Sequence, residues 1–209
     1  MDLPILIQGL IIGFSIAAPV GPIGVLCIRR TLTEGRLSGF VSGLGAATAD
    51  AVYGCIAGFG LTFISTFLIE KSQWLRLVGG GFLLYLGIKT FLTQTKSTAD
   101  PDDSLVLGNS LTGNYLSTFA LTLTNPLTII SFAAIFAGLG IGSTSSGNYL
   151  SAFILVIGVF LGSGSWWFLL SGVVGLFRQR FKPDSLIWVN RISGVIIFIF
   201  GIVAILSLV

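Results

Sequence analysis

Asp50 is the one carboxylate set inside a membrane-length apolar stretch of this chain, in the run Gly43-Leu44-Gly45-Ala46-Ala47-Thr48-Ala49-Asp50-Ala51-Val52-Tyr53-Gly54. Taking a carboxylate to the middle of a bilayer costs about 2.5–3.5 kcal/mol even on insertion scales, so an acid there reads first as a functional group. The competing reading is a structural acid, protonated or paired with backbone or arginine. Helical spacing puts Ala46, Asp50, Gly54 and Gly58 on one i, i+4 face, and Gly39, Gly43 and Ala47 on the next. Small residues let helices approach closely, so Asp50 is expected against a neighbouring helix and away from lipid. There it could trade a proton or pair with an ammonium group. Both roles together would couple a proton to a cationic or zwitterionic solute.

Two proline motifs interrupt other apolar runs. In Pro19-Val20-Gly21-Pro22 each proline removes an N–H and clashes with the carbonyl four residues back. Thr122-Leu123-Thr124-Asn125-Pro126 repeats the arrangement, with Thr and Asn as caps for a half-helix that begins at a proline. Half-helix N-termini carry free N–H groups and partial positive charge, which suits a carboxylate. Pro19, Gly21, Pro22, Thr124, Asn125 and Pro126 are therefore candidate binding residues, although such prolines can also serve only as kinks. A third stretch, Gly162-Ser163-Gly164-Ser165-Trp166-Trp167, offers hydroxyls and indole faces but no charge. Ser165 and Trp166 join the candidates, since an indole can stack on a cation; ordinary packing is the other reading.

Other chemistry lacks its parts. The chain has no histidine, and its cysteines, Cys27 and Cys55, form no Cys-x-x-Cys. No metal constellation, cofactor motif or nucleophile–base pair is expected, and so no enzyme. A divalent metal-ion exporter of similar architecture is the alternative, and it would have to recruit Asp100, Asp102 and Asp103.

The elements that position these residues follow from composition. Apolar residues make up 54% and charged residues 9%, with a mean hydropathy of +0.98, which places the chain in a lipid bilayer. Six stretches, near 3–28, 38–65, 73–93, 113–140, 149–173 and 187–208, are long enough to cross it as helices. The expected fold is an all-α integral membrane protein. Arg29, Arg30, Arg36, Lys89, Lys96, Arg178, Arg180, Lys182 and Arg191 fall on one side, leaving Lys71 and Arg76 on the other. By the positive-inside rule both termini face out, and the basic charge follows topology with no nucleic-acid partner implied.

An offset of 114 lays Trp74 on Trp188, Gly80 on Gly194 and Gly87 on Gly201. With the two proline motifs, this points to a three-helix repeat over 1–95 and another over 113–209, joined by a cytoplasmic linker, 96–112. An odd number of helices inverts the second copy, an arrangement common in secondary transporters. Gly39, Gly43 and Gly54 could pack internally or form the seam of a homodimer.

At these residues the chain resembles the LysE family of amino-acid exporters (lysine/arginine, homoserine/threonine and related effluxers). The resemblance is carried by Gly13 through Leu61, with Pro-Val-Gly-Pro, Arg-Arg-Thr-Leu-Thr-Glu-Gly-Arg at 29–36, Asp50 and Gly58-Phe59-Gly60-Leu61; Asn125-Pro126 and Leu86-Gly87 fit it as well. The family's first motif is usually a compact Pro-Gly-Pro, and here Val20 intervenes. The resemblance implies residence in a bacterial or archaeal cytoplasmic membrane. It also implies export of a small amino-acid-like substrate driven by H⁺ or Na⁺, with Asp50, Gly21-Pro22 and Asn125-Pro126 at the site.

Overall fold

The computed structural model describes residues 2–19, 21–58, 71–92, 110–125, 128–129, 131–132, 149–178 and 183–206. Among them are seven helices and no strand: α1 (Asp2–Ala17), α2 (Pro22–Thr33), α3 (Arg36–Gly58), α4 (Ser72–Leu92), α5 (Leu111–Leu123), α6 (Tyr149–Phe177) and α7 (Pro183–Leu206). The expected all-helical class is found. Residues 59–65 and 133–140 of the expected second and fourth segments lie outside the described residues, as does most of the linker.

The first expected segment is two helices. Pro4–Ala17 and Pro22–Thr33 are bent by 81°. Gly21 is extended at the start of α2, and Pro22 takes the first helical position, where a missing N–H costs nothing. The far end of α2 closes on Gly35, whose φ of 115° is left-handed and open to glycine without steric cost. The N–H groups of Glu34 and Gly35 both donate to the Arg30 carbonyl, at 2.8 and 3.1 Å, and this turn delivers the chain into α3.

Glycine sets how the helices meet. A Cβ on Gly9 or Gly13 of α1 would strike the backbone of α6, and one on Gly158 or Gly162 would strike α1. Gly80 of α4 abuts Gly201 of α7, and Gly87 abuts Gly194, so these two helices run antiparallel. On α3, Gly43 receives the Trp167 ring and Gly45 the α5 backbone at Tyr115. Lipid-phase helices associate through such close packing, because burial from water contributes little between them.

The polarity is inside out for a soluble domain. Thr31, Ser42, Asn114, Thr118, Ser163 and Asn190 are buried, while Phe153, Leu161, Phe168, Ile192, Ile199 and Val203 are exposed. Such an apolar exterior suits lipid. By length and composition α6 and Ile187–Leu206 can each cross a membrane, and α1 with α2 is long and apolar enough for a third if the bent pair is one span.

Candidate functional site

Both helix breaks and Asp50 face one cavity of about 180 Å³. Pro19, Gly21 and Pro22 line it from the first break, Thr122 and Asn125 from the second, Ala46 and Asp50 from α3, and Trp167 from α6. Asp50 is only 3% exposed, and its Oδ2 accepts a 2.7 Å hydrogen bond from Ser163 Oγ. The wholly buried Ala47 and Ala49 beside it let the neighbouring helices close around this face of α3.

At the first break no side chain caps α2. The amides of its first turn therefore have no acceptor within the helix, and Ile23 and Gly24 of that turn line the cavity. At the second break Pro126 has no N–H to offer the Thr122 carbonyl, and the Asn125 N–H takes that carbonyl at 3.2 Å. The Asn125 carbonyl then receives Ile129 N–H at 3.2 Å, restarting the helix, while Asn125 Nδ2 donates to Thr128 Oγ1 at 3.0 Å. Tyr53 of α3 donates its hydroxyl to the Leu123 carbonyl at 2.6 Å, so α3 braces the break next to Asp50. Trp167 is 4% exposed, and its indole N–H is buried with no acceptor among the described residues.

Of the residues singled out from sequence, Asp50, Pro19, Gly21, Pro22 and Asn125 meet at this cavity. Thr124 turns away: its hydroxyl bonds the carbonyls of Ala120 and Leu121 at 3.0 and 3.3 Å, and it packs on Gly79. Pro126 lies outside the described residues. Ser165 is exposed and donates to the Gly162 carbonyl at 2.7 Å. Trp166 packs edge-on against Phe14, with ring centroids 5.3 Å apart. From α6 it is Trp167 that lines the cavity, while Ser163, one turn earlier, holds Asp50; both belong to the buried i, i+4 row Ser163, Trp167, Ser171, Gly175. The row follows helical spacing, which by itself does not say which face of α6 turns inward.

A second polar cluster was not foreseen. Arg30, buried on α2, donates Nη1 to Ser42 Oγ, the Asn114 carbonyl and Thr118 Oγ1, each at 2.9 Å, and Nη2 to Ser117 Oγ at 2.8 Å. Glu34 Oε2 accepts from Asn114 Nδ2 at 2.8 Å. Arg29 Nε donates to Asn190 Oδ1 of α7 at 2.8 Å. Arg178, just past α6, donates Nε to the Leu32 carbonyl at 3.1 Å, where a cation also favours the helix C-terminus. The basic end of α2 is thus tied to α3, α5, α6 and α7. Among the described residues no group of three His, Cys, Asp or Glu could hold a metal ion.

A bent pair of apolar helices, a buried acid beside the bend and an apolar exterior fit a membrane translocator. The chain belongs to the LysE type translocator family, which matches residues 14–208, and is accordingly a transporter and not an enzyme. It is similar to the "Putative amino acid efflux protein YcgF" of Bacillus subtilis (strain 168), 29% identical over 202 residues, which span 94% of this chain and 93% of that one. It is also similar to the "Uncharacterized membrane protein YahN" of Escherichia coli (strain K12), 28% identical over 180 residues, spanning 84% and 77%. No solved structure matches the chain.

Proposed function

We propose that this protein exports amino acids or similar small zwitterionic or cationic solutes across the cytoplasmic membrane of a bacterium or archaeon, by proton antiport at Asp50. The observation that carries this reading is a single buried carboxylate facing a cavity where two helix breaks converge. The name of the Bacillus relative supports the substrate class. Solute ammonium and proton compete for one carboxylate, so release of one accompanies binding of the other, and the open amide end of α2 holds the solute carboxylate.

The architecture proposed around the site is six crossings in two inverted halves, 1–95 and 113–209, joined by a cytoplasmic linker, with both termini outside. Two contacts support it. Gly80 meets Gly201 and Gly87 meets Gly194; the offset of 114 maps 80 onto 194 and 87 onto 201, so the pairing is reciprocal, as a two-fold relation requires. In addition α1 packs on α6 while α5 packs on α3, so the first helix of each half lies against the second helix of the other. Arg29, Arg30, Arg178 and Arg191 gather at one end, which the positive-inside rule assigns to the cytoplasm.

The test is amino-acid accumulation in inverted membrane vesicles under an imposed pH gradient, for wild type and Asp50→Asn. The variant should retain membrane-inserted protein and lose gradient-driven accumulation. Wild-type coupling in Asp50→Asn would exclude the assignment.

A further inference from the structure

We propose that the transported solute carries an uncharged side chain: the cavity takes neutral α-amino acids and rejects basic and acidic ones. This rests on the exporter reading above and narrows it. Residues 3–28, 37–69, 104–177 and 192–209 hold one charged side chain in all, Asp50. Every stretch that lines the cavity falls within these ranges.

An α-amino acid brings one ammonium and one carboxylate. The ammonium is matched by Asp50. The carboxylate is matched by uncharged donors, the open first turn of α2 and the buried indole N–H of Trp167, which has no acceptor among the described residues. That balance is complete for a zwitterion and leaves nothing for a third charge. A lysine or arginine side chain would need a second anion, and an unpaired buried charge is strongly disfavoured. A glutamate or aspartate side chain would need a cation. Arg30 is a turn and a half beyond Gly24, beneath the buried Leu26 and Cys27, and its guanidinium is already engaged in four hydrogen bonds.

The rest of the lining fits a side chain that is aliphatic or bears a hydroxyl. Ile16, Ala17 and Phe200 supply apolar surface, and Thr128 and Ser131 supply hydroxyls. At about 180 Å³ the cavity is smaller than the roughly 300–1,000 Å³ of drug-sized ligand sites, which suits a single small amino acid.

The experiment uses inverted vesicles containing the full-length protein under an imposed pH gradient, with labelled alanine, threonine, leucine, lysine and glutamate supplied separately. At least one neutral amino acid should accumulate, and lysine and glutamate should do so roughly 100-fold less efficiently, the factor a second unpaired charge implies. Ser131→Asp adds a counter-charge to the lining, and lysine should then gain on the neutral solute by about tenfold or more. Accumulation of lysine or glutamate by wild type as efficient as that of any neutral amino acid would overturn the neutral-side-chain assignment and leave the exporter reading standing. Accumulation of none of the five, with protein verified in the membrane, would remove the exporter reading and this assignment together.

Discussion

A carboxylate buried with one hydroxyl partner is half a binding site, and its orientation depends on that partner. Ser163 reaches Asp50 from α6 at 2.7 Å, and a hydrogen bond to a charged group contributes about 1.5–3 kcal/mol. Ser163→Ala should therefore weaken apparent solute affinity by about 10- to 100-fold, with protein levels unchanged. Ser163→Thr, which keeps the hydroxyl, should restore most of it. The concentration dependence of uptake into inverted vesicles measures both, and equal affinity in Ser163→Ala and wild type would assign Asp50 another source of order. Asp50 was legible in the sequence because a charge inside an apolar run is a one-dimensional signal. Ser163 and Trp167 were not distinguishable from Ser165 and Trp166. Which face of α6 meets α3 depends on an antiparallel register set by contacts such as Gly43 on Trp167 and Gly175 on Arg36, between residues more than a hundred positions apart.

Among the elements α2 stands out, open at one end onto the cavity and tied down at the other. Pro-Val-Gly-Pro announced its start, and the halt of α5 at Thr124 was equally readable from Asn125-Pro126. Its arginine-tied end was hidden, because arginines near a span terminus read as topological charge. Successive residues on a helix point about 100° apart, which sends Arg29 to Asn190 of α7 and Arg30 inward between α3 and α5. The guanidinium of Arg30 is held by neutral acceptors, and cutting such a buried network costs several kcal/mol at most, enough to loosen one end without unfolding the bundle. The chain carries its own reporter, because Cys27 lies one turn above Arg30, buried, and both cysteines are free. In a Cys55→Ala background, Arg30→Gln should speed maleimide modification of Cys27 by about tenfold or more, the effect of weakening closure by some 1.4 kcal/mol. The reagent should act from the basic face only. Unchanged labelling would mean that apolar packing of Leu26 and Leu121 closes this end by itself.

Across the whole molecule the proposed inverted repeat gives Asp50 a counterpart. Asp50 and Ser163 differ by 113 positions, and the offset of 114 carries Asp50 onto Gly164, the neighbour of Ser163, so nearly equivalent positions meet where α3 crosses α6. One half supplies an acid there and the other a hydroxyl. A symmetric pair of acids would bind two protons per cycle; this asymmetric pair binds one. Export of a neutral zwitterion against one proton moves one net positive charge into the cell on each turn, so the cycle should respond to membrane potential. In inverted vesicles the lumen corresponds to the cell exterior, and protons leave it as solute enters. With no pH gradient, a lumen-positive potassium diffusion potential set by valinomycin should therefore drive accumulation of the neutral amino acid, and a lumen-negative one should suppress it. Each 100 mV is worth about 2.3 kcal/mol per charge, or roughly 50-fold in the accumulation ratio at equilibrium. Asp50→Asn should show no response to either polarity. Indifference of the wild type to potential would mean that the solute leaves as a net cation in exchange for the proton, which is the behaviour expected of a lysine-like cargo and would overturn the neutral-substrate assignment from an independent direction.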